Sequence, residues 1–177
     1  MNKIPIIQKR NNILREVAKE VPLEEVKSAA IQNIIKKMKL AVSEREEAAA
    51  VAAPQVGQSL RIFVVSERAL MKPRDIPPKP EEKKEYGHIV FINPKILKKS
   101  RQQKILSEGC LSVENIYGTI KRSDKIKVEA YDENGKKFVK SGSGLFSQVI
   151  QHEMDHLDGI LFTDKAIMLR KYDKQSA

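Results

Sequence analysis

The chain has 177 residues, 41% of them hydrophobic and 32% charged, with a formal net charge of +10. That length suits one ordinary domain with a sizeable core, and the balance is that of a globular protein in water. No apolar run reaches membrane-spanning length, and "MNKIPIIQKRNN" has neither a secretory leader's apolar core nor a transit peptide's Arg/Ser-rich character, so the expectation is a single domain over 1–177, with no membrane partner, in the cytoplasm.

The positive charge fits a lysine-rich solvated surface first. A second reading is contact with an acidic partner such as the ribosome, because a summed positive field steers toward polyanions. Aromatics make up only 5% of the chain and the lysines are scattered, which argues against a base-stacking, sequence-specific nucleic-acid module.

Residues 21–42, "VPLEEVKSAAIQNIIKKMKLAV", place Val26, Ala30, Ile31, Ile34, Met38, Ala41 and Val42 on one helical stripe. Glu24 and Glu25 near its start and Lys36, Lys37 and Lys39 late in it suit the helix dipole. "AAAVAAPQVG" (48–57), small and interrupted by Pro54, reads as a loop. "LRIFVVS" (60–66) and "HIVFINPKIL" (88–97) are β-branched and aromatic and read as strands. The proline-rich stretch between them, 71–87, reads as an exposed loop.

"KILSEGCLSV" (104–113) alternates around a glycine. "KIKVEAYDENGKKFVKS" (125–141) predicts a hairpin with a type I′ turn at Asn134-Gly135. "SGSGLFSQVIQHEMDHLDG" (141–159) predicts a terminal helix, with Ser143 as N-cap and Gly159 as stop. Strands and helices do not alternate regularly, so the fold class is α+β with mainly antiparallel sheet and an N-terminal helix.

That last helix carries "HEMDH". His152 and His156 stand four residues apart, on one face and one turn from each other, where both can hold the same metal ion. Leu145, Val149, His152 and His156 form one continuous stripe, so an apolar wall runs into the imidazole pair. Glu153 lies beside them, within reach of a water on such an ion. A catalytic site normally needs a third protein ligand. Phe162 occupies the place where metzincin proteases carry a third histidine, and neither glutamate nor histidine follows His156. The third ligand therefore lies upstream. Its candidates are His88 at a loop-to-strand junction and the sole cysteine, Cys110, beside Gly109. A thiolate with two imidazoles suits Zn²⁺ or Fe²⁺.

"AAPQVG" (52–57), "EGCLS" (108–112) and "QHEMDHLDG" (151–159) resemble, in order and separation, the three signature motifs of the peptide deformylases. The likeness runs from "ILREVAKEVPLEEV" through "FINPKI" and "AYDENG" to "GILFTDK". That family removes the formyl group from the N-terminal methionine of nascent chains. The resemblance implies that Cys110, His152 and His156 bind one divalent ion, Fe²⁺ with Zn²⁺ or Ni²⁺ able to substitute. It implies that Glu153 is general base and acid, and that the Gln55 amide and the Leu111 backbone N–H hold the formyl oxygen. Ala50, Val51, Gly109, Tyr117, Leu145, Gln148 and Val149 would contact the N-formyl-methionyl nascent peptide, with Leu145 and Val149 lining the methionine pocket. Glu108 is expected to be a structural ion-pairing residue.

Several positions depart from the family pattern. Ala48 and Ala50 stand for glycines, Glu114 for a proline and Gln148 for an arginine. If either alanine position requires positive φ, the side chain strains it. Two other functions fit parts of the sequence: a small metallopeptidase, and a weakly active homologue that binds nascent chains or ribosomes.

Overall fold

The computed structural model describes residues 3–70 and 86–171. Among the described residues there are four α-helices and eight strands, the strands forming two antiparallel sheets, which is the α+β class. The first sheet has strand order β1-β2-β3-β6-β7, with β1 at Ala50–Ala52, β2 at Ile62–Ser66, β3 at His88–Lys99, β6 at Lys125–Tyr131 and β7 at Lys137–Ser143. The second has order β4-β5-β8, with β4 at Gln103–Cys110, β5 at Val113–Ser123 and β8 at Met168–Lys171. The helices are α1 (Ala29–Ser43), α2 (Glu67–Leu70), α3 (Leu145–Leu157) and α4 (Phe162–Lys165).

α1 starts where Ser28 accepts a hydrogen bond from the Ile31 N–H at 3.3 Å, an N-cap. Glu24 and Glu25 precede it in a separate 3₁₀ turn after Pro22, so the helix begins later than its sequence stripe. Its inner face is Ile31, Ile35, Met38, Ala41 and Val42; Ile34 is only half-buried, one position off that face.

The five-stranded sheet is covered on both faces near its centre. Ile62, Val64, Val90 and Ile92 pack with Ile35 and Met38 of α1 on one side. Phe63, Val65 and Phe91 pack with Val149, Ile150 and Met154 of α3 on the other. Alternate side chains point to opposite faces of a strand, so a strand buried on both faces reads as an unbroken apolar run. Phe63 and Phe91 are direct cross-strand partners, with ring centroids 4.7 Å apart.

The segment 48–57 is not the expected loop. Ala50–Ala52 pairs with β2, and Ala53–Val56 forms a 3₁₀ turn ending at Gly57 with φ +83°. Small residues with weak strand propensity are recruited here by pairing to β2 and by packing. The hairpin of β6 and β7 forms, but not with a type I′ turn. Only Gly135 has positive φ (+76°), the Gly135 N–H bonds the Asp132 carbonyl, and the Asp132 side chain accepts from the N–H groups of Asn134 and Lys136. This is a three-residue loop with a left-handed glycine. α3 is entered through Gly144 (φ +59°), because Ser143 is the last residue of β7 rather than a cap. Nor is α3 terminal: α4 follows, and β8 completes the second sheet. The proline-rich expectation falls mostly on 71–85, outside the described residues.

Gly159 ends α3 with φ +70°, and a Cβ there would meet the Arg15 carbonyl oxygen at 2.5 Å. Gly135 has similar φ but open space, its nearest neighbour being Val26 at 3.9 Å. Gly135→Ala is therefore expected to cost about 1 kcal/mol, from the left-handed backbone alone. Gly159→Ala adds a clash with backbone and is expected to cost at least about 2 kcal/mol more than nothing but strain would suggest for a free turn. Urea unfolding of both variants checks this, and equal losses would remove the role of the Arg15 contact.

Candidate active site

The site lies where α3 faces the end of β4. Cys110 is the last residue of β4, and His152 and His156 lie one turn apart on α3. One ligand atom from each of the three lies within 4.8 Å of the others, and the Cys110 Sγ to His156 Nε2 distance is 3.2 Å. Tetrahedral ligation with a sulfur at about 2.3 Å and a nitrogen at about 2.0–2.1 Å puts S and N about 3.6 Å apart, so the Cys110–His156 pair is near ligating separation. His88 is elsewhere, with Nε2 at 3.2 Å from Ser43 Oγ.

Behind the ligands runs a buried chain of charges. Arg122 of β5 makes a two-pronged pair with Glu108, at 2.7 and 2.8 Å, and reaches Asp155 Oδ2 at 2.6 Å. Asp155 Oδ1 in turn accepts from Lys165 Nζ at 2.6 Å. The other end of the chain is His152, whose Nδ1 lies 2.9 Å from Glu108 Oε2. This contact leaves Nε2 of His152 facing the cysteine side, the arrangement that orients a metal-bound imidazole. Burial alone would raise the Glu108 carboxyl; the Arg122 and His152 hydrogen bonds hold it at about 2. Burial, then the nearby His152 and Arg122, push His156 well below its usual range, toward the neutral form that ligates.

Glu153 is 3% exposed, and its Oε2 has no hydrogen-bond partner among the described residues. Burial raises its carboxyl to about 7, against the pull of His152. Gln55, at the end of the 3₁₀ turn after β1, is anchored through Oε1 by the Ala52 N–H at 2.8 Å. That bond turns the amide nitrogen toward the site, where it donates to Ser112 Oγ at 3.1 Å and faces Cys110 Sγ at 3.5 Å.

A cavity of about 600 Å³ opens onto these groups. Ala50, Gly109, Leu111 and Tyr117 line it on one side, and Leu145, Gln148 and Val149 of α3 on the other. Gln148 Nε2 donates to the Ser107 carbonyl at 2.8 Å, tying α3 to β4 across the cavity. Val51 is not among the lining residues. The strand pleat turns it away from Ala50 and Ala52 into the core under α1, where it is fully buried. The glycine replacements bring no left-handed strain: among the described residues the only non-glycine positive φ angles are at Asn93 and Asn115.

Residues 3–172 match the model of the family described as Polypeptide deformylase. The chain belongs to the polypeptide deformylase family. Peptide deformylase 2 of Clostridium acetobutylicum is 40% identical over 154 residues, covering 87% of this chain and 89% of that protein. The chloroplastic peptide deformylase 1A of Solanum lycopersicum is 36% identical over 163 residues, covering 90% of this chain, which spans only 58% of that longer protein. Among solved structures, the Met-Ala-Ser-bound class I type b peptide deformylase of Acinetobacter baumannii superposes with TM-score 0.77 at 32% identity, over 93% of this chain and 98% of that one. The Thermotoga maritima peptide deformylase gives TM-score 0.75 at 30% identity over 95% and 100%. The chain is accordingly a hydrolase that acts on the formyl group of N-terminal formyl-methionine, a divalent-metal enzyme of protein biosynthesis. The metallopeptidase and silent-homologue readings are not favoured. No helix among the described residues is long and apolar enough to cross a membrane.

Arg122, Asp155 and Ser112 are the deformylase site residues that sequence reasoning missed. Asp155 lies between the two histidines in sequence, but its partners Arg122 and Lys165 come from β5 and α4. Arg122→Met strands Glu108 and Asp155 as buried carboxylates without their shared cation, and is expected to cost about 3–5 kcal/mol in denaturant unfolding. Glu108→Gln keeps the shape but weakens the hold on His152. It is expected to lower metal affinity about 10–100-fold in a chelator competition.

Proposed function

We propose that Cys110, His152 and His156 hold the divalent ion, Fe²⁺ in the cell with Zn²⁺ or Ni²⁺ able to substitute, and that Glu153 moves the proton. The observation that carries this reading is the convergence of one sulfur and two imidazoles beside a buried, unpartnered Glu153 oxygen. When bound, the ion supplies Lewis acidity that acidifies a water and polarises the formyl oxygen. Glu153 takes the proton from the attacking water and delivers it to the departing amine. The C–N bond breaks, the water oxygen joins the formyl carbon, and formate and a free N-terminal methionine leave.

The Gln55 Nε2 is aimed by its own anchored carbonyl, and the Leu111 N–H bonds nothing among the described residues. Both are placed to donate to the formyl oxygen as its charge grows. Leu145 and Val149 supply an apolar wall for the methionine side chain, Gln148 the tie across it, and Ala50, Gly109 and Tyr117 the remaining peptide contacts. Ala50 adds a methyl group to the cavity wall, which narrows the channel for the peptide backbone. The substrate class is the N-formyl-methionyl nascent peptide, and the peptide bound to the Acinetobacter baumannii enzyme, Met-Ala-Ser, has the sequence of a deformylated product. The reaction belongs in the cytoplasm, where chains are made. The basic surface supports ribosome contact: Lys98 and Lys127 face each other across β3 and β6, a like-charge pair that an anionic partner would relieve.

The test is formate release from formyl-Met-Ala under anaerobic conditions, with metal content measured on the same sample, since an Fe²⁺–thiolate site is exposed to oxidation. Glu153→Ala is expected to retain the metal and lose at least about 10²-fold in kcat. Undiminished turnover would remove Glu153 from the mechanism, and cleavage of an internal amide without formate would replace the reaction class.

A further inference from the structure

The two groups placed to donate to the formyl oxygen come from different sheets. Gln55 lies in the 3₁₀ turn that follows β1, and Leu111 comes directly after the last residue of β4. β1 and β4 belong to separate sheets, and among the described residues no strand ladder joins those sheets. Strand register therefore does not fix one donor relative to the other. The buried chain of charges does not do so either, since it ties α3 and α4 to β4 and β5 and leaves β1 out.

The N-terminal segment supplies the tie. Three successive residues donate to the two site segments. The Ile7 N–H donates to the Gln55 backbone carbonyl at 2.8 Å, and the Lys9 N–H to the Ser112 carbonyl at 2.9 Å. Between them the Gln8 side-chain amide donates to the Leu111 carbonyl at 3.1 Å, and to the Ile6 carbonyl of its own segment at 3.3 Å. Gln55 Nε2 closes the ring on the hydroxyl of Ser112, a fully buried residue, at 3.1 Å. Each peptide unit is planar, so holding the two units after Leu111 leaves only the φ and ψ of that residue between them and its N–H.

This segment is itself anchored on both sides. The Ile4 N–H donates to the Glu44 carboxylate at 2.8 Å, and Arg45 holds the Ile4 carbonyl at 2.6 Å. Further on, the Asn11 N–H closes a turn on the Gln8 carbonyl at 2.9 Å. Ile6 packs on the apolar cluster under α1, and Ile7 on the cluster of Leu14, Val113 and Phe162. We propose that residues 7–9 are a strap that sets the separation of the Gln55 and Leu111 donors, with Gln8 and the Lys9 N–H as positioning groups for the reaction. The proposal rests on the deformylase reading of the same cavity. Donors stabilise a developing oxyanion only where they are held in place beforehand, so loosening one costs rate rather than substrate binding.

The test measures kcat and KM for formate release from formyl-Met-Ala by the metal-loaded full chain in Gln8→Met and Lys9→Pro. Gln8→Met keeps the length of an exposed side chain and removes its donor. Lys9 is the second residue of the turn closed by Asn11, a position that suits proline, so Lys9→Pro deletes the N–H and keeps the turn. Each variant is expected to lose about 5–20-fold in kcat with KM within about 2-fold, a part of the loss that removing a donor outright would bring. In the zinc-loaded protein the Leu111 amide signal in NMR is expected to broaden in both variants as the N–H exchanges between positions. Arg10→Ala, one residue beyond the strap, is expected to change neither readout. Wild-type kcat in Gln8→Met would overturn the proposal, even if the proline variant does not fold. A loss carried by KM would also overturn it, because it would make Gln8, which lines the cavity with Ile6, a peptide contact instead. A fall in kcat with an unaltered Leu111 signal would do the same. No formate from the wild-type enzyme would instead overturn the reading of the cavity on which the strap rests.

Discussion

The structure depends on one guanidinium sealed between two carboxylates. Arg122 is 4% exposed, Glu108 5% and Asp155 8%, so three charges share a space that excludes water. Taking such groups out of water is costly, and a hydrophobic trio of the same shape would often serve stability as well or better. What the trio supplies is position. Glu108 lies on β4, Arg122 on β5 and Asp155 on α3, so the pairings lock the helix that bears both imidazoles to the strand that bears the thiol. Glu108 then uses its remaining acceptor capacity on His152 Nδ1, which sets the ring's orientation. The ligand geometry is therefore a consequence of a register and two ion pairs, not of local preference at Cys110.

The parts of the fold visible in the sequence are those where one local pattern decides the outcome. α1 and α3 show their buried stripes, and β2 shows as an apolar run because α1 and α3 cover both of its faces. The misread parts are those where a partner decides. Ala50–Ala52 has no strand propensity of its own and becomes a strand by pairing with Ile62–Ser66. β8 has four exposed residues and no burial pattern to betray it; the edge of β5 recruits it. Asn134-Gly135 looked like a two-residue turn, but Asp132 captures two backbone N–H groups and shifts the loop to three residues. Ser143 looked like a cap and is held instead in the β6–β7 ladder, opposite Lys125.

The site divides along the same line. The histidines and Glu153 were legible because helical spacing alone puts them together. Spacing left Cys110 and His88 both open as the third ligand, and only the family resemblance chose between them. Arg122 and Asp155 were invisible, since their roles arise from partners 14 and 33 residues apart in sequence. Val51 shows the opposite error. Its neighbour Ala50 faces the cavity, and adjacency in sequence suggested the same for Val51, but the pleat sends successive side chains to opposite faces.

The replaced glycines follow from this geometry. A glycine is required where φ is positive or where a Cβ has no room, and neither Ala48 nor Ala50 has a positive φ. Ala50 is held in the β1–β2 ladder opposite Val65, so its backbone is set by pairing and an alanine there adds a methyl group without bending the chain. The change therefore acts on the shape of the channel and not on the anchor of Gln55, whose carbonyl is held by the Ala52 N–H two residues on. The separation is physical: His152 and Gln55 are held by the interior charge chain and the β1 backbone, while the channel-wall side chains can vary without moving them. Divergence at Ala50, Glu114 and Gln148 alongside an intact set of Cys110, His152, His156, Glu153 and Gln55 is what such a division permits.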